Sequence, residues 1–114
     1  NRTLKEARQA GMKLLEARGL KILGRIELAH DNYAEANTLL KQSAVLARHL
    51  GADYEAGLAL LHLSEAHNRQ ALKTGLRGQP SLALKQAIAI FRRLGAKRDL
   101  LQAEQLYANL SQGF

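Results

Sequence analysis

Three segments of the chain end in the same pattern: an apolar stretch with helical spacing, an arginine and, three residues later, a glycine. The three pairs are Arg8 with Gly11, Arg48 with Gly51, and Arg92 with Gly95. A glycine just past the last helical residue can adopt the left-handed conformation without a Cβ clash, so it commonly ends a helix. Because these glycines recur at intervals of 40 and 44 residues, the sequence predicts a helical unit repeated along the chain.

A second element recurs between these glycines. The segment Leu20–Gly24 aligns with Leu60–Ser64 at an offset of 40 residues, and in both a small residue follows the last leucine. We expect the small residue to let a neighbouring helix approach closely, and we expect Leu23 to lie in the core of the first hairpin. The apolar periodicity predicts helices over 2–10, 12–30, 33–50, 53–74, 80–94 and 97–111.

The segments between the helices contain residues that begin or end helices. Asp31 and Asn32 are predicted to cap the helix over 33–50 by accepting backbone N–H bonds. Gly75 to Gly78 is predicted to break the chain, and Pro80 with Ser81 suits the start of the following helix. Together these signals indicate antiparallel helical hairpins arranged in series.

Length and composition fit this fold. The 114 residues suffice for one domain, and straight-chain helix formers dominate. We therefore predict a single all-α domain over 1–114, made of a half repeat (1–11), two repeats (12–51 and 52–95) and a closing half repeat (96–114). Since the chain begins with Asn1, we expect it to belong to a longer protein. The absence of cysteine excludes disulfides and thiolate sites, and we expect a cytoplasmic location without a membrane span.

The repeated residues resemble the tetratricopeptide repeat (TPR) family. The positions that match in the first repeat are Leu20, Leu23, Gly24, Asp31, Asn32, Tyr33, Ala36, Leu40 and Ser43, and those in the second are Leu60, Leu63, Ser64, Leu84 and Ala87. The long period is similar to that of TPR arrays in bacterial signal-transduction ATPases and transcriptional regulators. The resemblance implies antiparallel hairpins stacked into a right-handed superhelix, with the first helix of each hairpin on the concave face.

The same resemblance implies a protein-interaction module that binds a protein or peptide on that concave face. The residues at the matching positions are Arg18, Lys21, Arg25, Leu58, Leu61, His62, Glu65, Arg69, Gln102, Gln105 and Asn109. Arg18, Lys21 and Arg25 form a basic stripe at helical spacing, which suits carboxylates of an extended peptide. The family's clamp for acidic C-terminal peptides is not reproduced, because Arg25, Glu65 and Gln105 stand at its positions.

The charge distribution leaves two alternatives open. The net charge is +7, and the chain between Glu65 and Asp99 contains no acidic residue. Such a surface favours acidic partners, so one alternative is a regulatory segment that supports nucleic-acid binding by a parent protein through Arg92, Arg93, Lys97 and Arg98. The other is self-association through the end helices over 2–10 and 97–111. We do not expect direct reading of nucleic acid, because no recognition motif accompanies the charge.

Catalysis is not predicted. The chain contains no phosphate-binding loop, dinucleotide fingerprint or nucleophile elbow. His62 and His67 are five residues apart, whereas a helical metal pair needs a spacing of four. His62, Glu65 and Arg69 are instead predicted to share one helix face as a solvated group. We therefore expect neither an enzyme nor a bound metal or cofactor.

Overall fold

The computed structural model describes residues 3–75 and 80–111, and within these ranges the chain forms five helices and no strand. They are α1 (Leu4–Ala29), α2 (Tyr33–His49), α3 (Asp53–Lys73), α4 (Leu82–Leu94) and α5 (Lys97–Ser111). Each helix packs against the next in the chain, and α1 also contacts α3. The molecule measures 53 × 30 × 18 Å, so the helices form an elongated row. The expectation of an all-α fold is confirmed.

Small side chains bring the helices close together. A Cβ added at Gly24 would lie 2.6 Å from Cγ of Leu40, and one added at Gly57 would lie 2.7 Å from Cε1 of Phe91. Leu40 and Phe91 are themselves fully buried. The predicted close approach at Gly24 is therefore confirmed, and the buried Ser64 follows the same pattern. Most of the remaining core consists of alanine and leucine.

A buried hydrogen bond fixes the first pair of helices. The hydroxyl of Ser43, on α2, donates to the backbone carbonyl of Ala17, on α1, at 2.7 Å. Ser43 is 2% exposed, so its polar group would carry a desolvation cost without this acceptor. The hydrogen bond satisfies it and fixes the register of α1 against α2.

The structure confirms two of the three predicted glycine ends. Gly51 and Gly95 have φ values of 74° and 70°, in the left-handed region. The prediction at Gly11 is wrong, since α1 continues through it without a break. Good helix formers flank Gly11 on both sides, and they keep it in the helix despite its intrinsic cost.

The loop before α4 lies only partly within the described residues. Gly75 has a φ of 79° and ends the turn after α3, whereas the rest of the predicted Gly75–Gly78 break lies outside the described residues. The Ser81 hydroxyl accepts a hydrogen bond from the backbone N–H of Leu84 at 3.2 Å. The predicted start of this helix is therefore confirmed, with Ser81 as its N-cap.

The turn between α1 and α2 is built differently from the prediction. Asp31 adopts a φ of 62°, and its carboxylate accepts a hydrogen bond from the hydroxyl of Tyr33 at 3.1 Å. The amide of Asn32 donates to Glu27 at 2.7 Å. Within residues 3–75, Asn32 makes no side-chain hydrogen bond to the start of α2. The predicted caps are therefore wrong, because both side chains have other partners.

The placement of Leu23 in the core is also wrong, since 52% of this residue is exposed. The first helix carries apolar residues on two sides. One side, with Ala17, Gly24 and Leu28, is buried, and the other, with Leu23, is not. Apolar spacing alone does not distinguish the two sides. None of the described helices is both long and apolar enough to cross a membrane.

Candidate functional site

A groove runs across α1, α3 and α5 and is made of two adjoining depressions. The depression between α3 and α5 has a volume of about 310 Å³, and the one between α1 and α3 has a volume of about 160 Å³. Glu65 and Arg69 line both. We call this surface the α1/α3/α5 groove. Of the concave-face residues predicted from sequence, it brings together Arg25, Leu61, His62, Glu65, Arg69, Gln102, Gln105 and Asn109.

Charged groups of both signs meet at the centre of the groove. His62 Nδ1 lies 3.6 Å from Glu65 Oε1, and Arg25 and Arg69 line the same depression. This confirms the prediction that His62, Glu65 and Arg69 share a face. Across residues 3–75 and 80–111, Arg25 and Arg69 enter no ion pair. Two guanidinium groups therefore line this depression together with the carboxylate of Glu65.

Side chains bearing carboxamides dominate the α5 end of the groove. Gln102, Gln105 and Asn109 face α3 across the larger depression, where Asn68 joins them. The buried Oδ1 of Asn68 has no hydrogen-bond partner among the described residues. Carboxamides can both donate and accept, so this end can pair with the N–H and C=O groups of an extended backbone.

The basic stripe predicted along α1 is only partly available. Glu55, on α3, accepts a hydrogen bond from Nε of Arg18 at 3.2 Å and from Nζ of Lys21 at 3.0 Å. The side chains of Lys21 and Glu55 are 14% and 16% exposed. Burial by itself would raise the pKa of Glu55, but the hydrogen bonds and charges of Lys21 and Arg18 lower it below its ordinary value.

Glu55 therefore has a role that the sequence analysis missed. A carboxylate in the first turn of a helix is stabilised by the helix dipole whatever lies beyond that helix, so its position in the sequence does not indicate a partner on α1. In the structure it joins α3 to α1 across 34 residues of sequence. Arg18 and Lys21 consequently act in the packing of the two helices, and of the basic stripe only Arg25 lines the groove.

The two predicted leucines are less accessible than expected. Leu61 is 2% exposed, so it forms the floor of the larger depression instead of a contact surface. Leu58 is half-buried and packs against the core. The predicted binding surface is thus more polar than its sequence pattern suggested.

The start of α3 is joined to its neighbours by two further contacts. The hydroxyl of Tyr54 donates to Oδ2 of Asp99, on α5, at 2.9 Å. This hydrogen bond, with burial and the charge of Asp99, raises the pKa of Tyr54 above its ordinary value. Oδ2 of Asp53 accepts from Arg93 at 3.1 Å. The first contact places the start of α5 beside α3, at the far wall of the groove, and the second joins α4 to α3.

The alternative basic surface loses part of its charge to carboxylates. Arg92 pairs with Glu104 at 3.1 Å, and Arg93 pairs with Asp53 at the same distance. Lys97 and Arg98 are exposed at the start of α5. The pairing reduces the positive charge that this surface offers to phosphates.

Larger depressions on other faces were not predicted, and two of them have α2 as one wall. One, of about 490 Å³, lies between α2 and α4, with Leu60 and Leu63 of α3 in its lining and Lys41 and Arg48 among its polar residues. His67 also lines it, and burial lowers the pKa of this imidazole. The other, of about 700 Å³, lies between α1 and α2. Both depend on contacts between helices that repeat spacing does not reveal.

Among the described residues, no three His, Asp or Glu side chains come together as a metal site. Comparison with protein-family models, with curated proteins and with solved structures finds no significant match. Any functional conclusion therefore rests on the residues of the chain itself.

Proposed function

We propose that this chain is a TPR-like protein-interaction module that binds an extended segment of a partner protein in the α1/α3/α5 groove. The repeated sequence elements support the TPR-like assignment, as does the succession of helices that pack on their chain neighbours. The family resemblance supports a place in a longer cytoplasmic bacterial signalling or transcriptional regulator. In such arrays the repeats build an extended surface that suits an extended ligand.

The observation that carries the proposal is the pair of guanidinium groups in the groove, Arg25 and Arg69. Guanidinium groups bind carboxylates with two parallel hydrogen bonds, which fixes orientation as well as affinity. Because Glu65 supplies only one counter-charge there, an acidic side chain of the ligand would complete the pairing. We propose a ligand with at least one acidic residue that sits between Arg25 and Arg69.

The rest of the ligand would lie towards α5. The carboxamides of Gln102, Gln105 and Asn109 are suited to a peptide backbone. A ligand bound in this way gains specificity from the acidic residue and affinity from the backbone contacts.

The experiment uses an array of random-sequence peptides probed with the labelled protein. We expect enriched peptides to contain Asp or Glu at one recurrent position. Binding to those peptides, measured by fluorescence anisotropy, should fall at least tenfold in the double variant Arg25→Glu/Arg69→Glu. Lys21 is left unchanged, because its charge is needed by Glu55.

The matched control is Lys41→Glu/Arg48→Glu, which makes the same change in net charge on the face between α2 and α4. The control should bind the enriched peptides as the wild type does. Loss of binding in the control alone would place the site in the α2/α4 depression and refute the groove proposed here. Equal loss in both variants would mean that binding depends only on net charge.

A further inference from the structure

The first helix carries an exposed apolar stripe on the side away from its neighbours. Its apolar members are Leu4, Met12, Leu15, Ile22, Leu23 and Ile26, each between 45% and 69% exposed. At 100° per residue they fall within one sector of about 100°. A contiguous apolar surface of this kind marks an interaction site. We call it the α1 stripe.

The α1 stripe is symmetric about Gly19. Four residues to either side of Gly19 stand Leu15 and Leu23, and seven residues to either side stand Met12 and Ile26. Two antiparallel copies of α1 related by a twofold axis at Gly19 would therefore place Leu15 opposite Leu23 and Met12 opposite Ile26, whereas Ile22 would face Glu16 and Leu4 would lie beyond the facing α1. A twofold interface requires exactly such a self-complementary surface.

No described atom packs against Gly19, the glycine at the centre of this symmetry. A glycine in a helix interior carries a stability cost relative to alanine. At Gly24 and Gly57 a packed side chain accounts for that cost, whereas no described atom would come within 4 Å of a Cβ at Gly19. We propose that Gly19 is the crossing point of two α1 helices, and that the α1 stripe binds a second copy of this chain.

The charges near the axis are compatible with this arrangement. Arg18 is the cation next to Gly19, and two copies of it would repel each other across a twofold axis. Its Nε is held by Glu55 of α3 at 3.2 Å, so its charge is offset on the side away from the stripe. Glu16, beside the stripe, lies 3.7 Å from Lys13 in an ion pair of its own.

The available area indicates a dimer of modest affinity. Between the paired residues Met12 and Ile26 the stripe is roughly 21 Å long and a helix is about 10 Å across, so α1 of each copy offers roughly 210 Å². A standard interface takes about 800 Å² from each partner. The depression between α1 and α2 lies beside the stripe, lined by Leu20, Val45 and Leu46, and would supply further contact with α1 of the second copy. The resulting unit is a four-helix arrangement of two α1 and two α2 helices.

Sedimentation velocity over a concentration series tests the dimer. We expect a monomer–dimer equilibrium for the wild type, and a dissociation constant at least tenfold weaker for Leu15→Glu. The control is Leu101→Glu on α5, since Leu15 and Leu101 are exposed to similar extents, 65% and 59%. Because both residues are exposed, circular dichroism should show unchanged folding in both variants. A wild type that stays monomeric up to about 1 mM would overturn the proposal, as would a dimer that only Leu101→Glu dissociates.

Disulfide trapping tests the axis. The natural chain contains no cysteine, so each introduced thiol reports alone. Met12→Cys mixed with Ile26→Cys should give a cross-linked heterodimer under mild oxidation. Met12→Cys alone should not cross-link, because antiparallel copies hold the two thiols about 21 Å apart, beyond the reach of a disulfide. Cross-linking of Met12→Cys alone, without the mixed product, would indicate parallel helices and overturn the twofold arrangement.

Discussion

At the scale of single residues, Glu55 joins two hairpins through one carboxylate, because it accepts from both Arg18 and Lys21. Lys21→Met would keep the apolar stem and leave a largely buried carboxylate with a single cation. We expect this variant to lose about 1–3 kcal/mol of unfolding free energy at pH 7, the usual value of a hydrogen bond to a charged group. Urea unfolding measures the loss. The control is Lys41→Met at an exposed position of α2, and its unfolding free energy should remain near that of the wild type.

The contact of Glu55 with Arg18 and Lys21 also predicts how the unfolding free energy depends on pH. The pKa of Glu55 is lowered in the folded state, so its pairing stabilises the fold above its unfolded pKa of about 4.3. That contribution is lost as the pH falls through the folded pKa. The wild type should lose stability below about pH 5, and Lys21→Met should lose less over the same range. Identical pH profiles for the two proteins would show that Lys21 does not lower the pKa of Glu55.

Gly24 gives a second prediction at this scale. Alanine at this position would place its Cβ 2.6 Å from Cγ of the fully buried Leu40. We expect Gly24→Ala to cost about 1–3 kcal/mol of stability, the usual result of overpacking a core. Thermal unfolding followed by circular dichroism measures the change. A variant as stable as the wild type would mean that α1 and α2 can separate without loss.

At the scale of the element, Gly11 distinguishes a helix interior from a helix end. Since α1 continues through Gly11 and a Cβ there would meet no described atom within 4 Å, Gly11→Ala should stabilise the protein by about 0.5–1 kcal/mol. At a left-handed cap the same change would destabilise. The sign of the shift in melting temperature separates the two cases.

The bounds of the helices were largely predictable from sequence, whereas the faces that pack against neighbouring helices were not. The starts of α3 and α5 and the ends at Gly51 and Gly95 follow from local chemistry, namely glycine caps and apolar periodicity. The exposure of Leu23 does not, because α1 is apolar on two sides and only packing decides which side is buried. A glycine with good helix formers around it, such as Gly11, is likewise ambiguous from local sequence.

The candidate site was predictable to a similar extent. The family resemblance implied that Arg25, Glu65 and Arg69 lie on one binding face, and the structure brings them together. Helical spacing could not reveal that Glu55 binds Lys21, since that contact joins residues 34 positions apart. Long-range ion pairs depend on the separation and tilt of neighbouring helices, which repeat spacing does not specify.

At the scale of the whole molecule, the row of helices should not be uniformly stable. Residues 4–13 of α1 include no buried residue, whereas α3 is buried along most of its length. Local opening is easiest where few apolar contacts resist it. Hydrogen exchange followed by mass spectrometry should therefore show fast exchange over 4–13 and the slowest exchange in α3. Equal protection throughout would indicate a single cooperative unit.

Contacts between helices that are not adjacent in the chain are few, and the ion pair of Glu55 with α1 is one of them. A tensile load that pulls α1 away from α3 therefore meets fewer contacts than one that separates the two helices of a hairpin. The Glu55 contact resists that separation electrostatically, and because the side chains of Lys21 and Glu55 are largely buried, added salt would weaken the Lys21–Glu55 ion pair far less than an exposed one. The distance between Arg25, on α1, and Arg69, on α3, would therefore vary with the load.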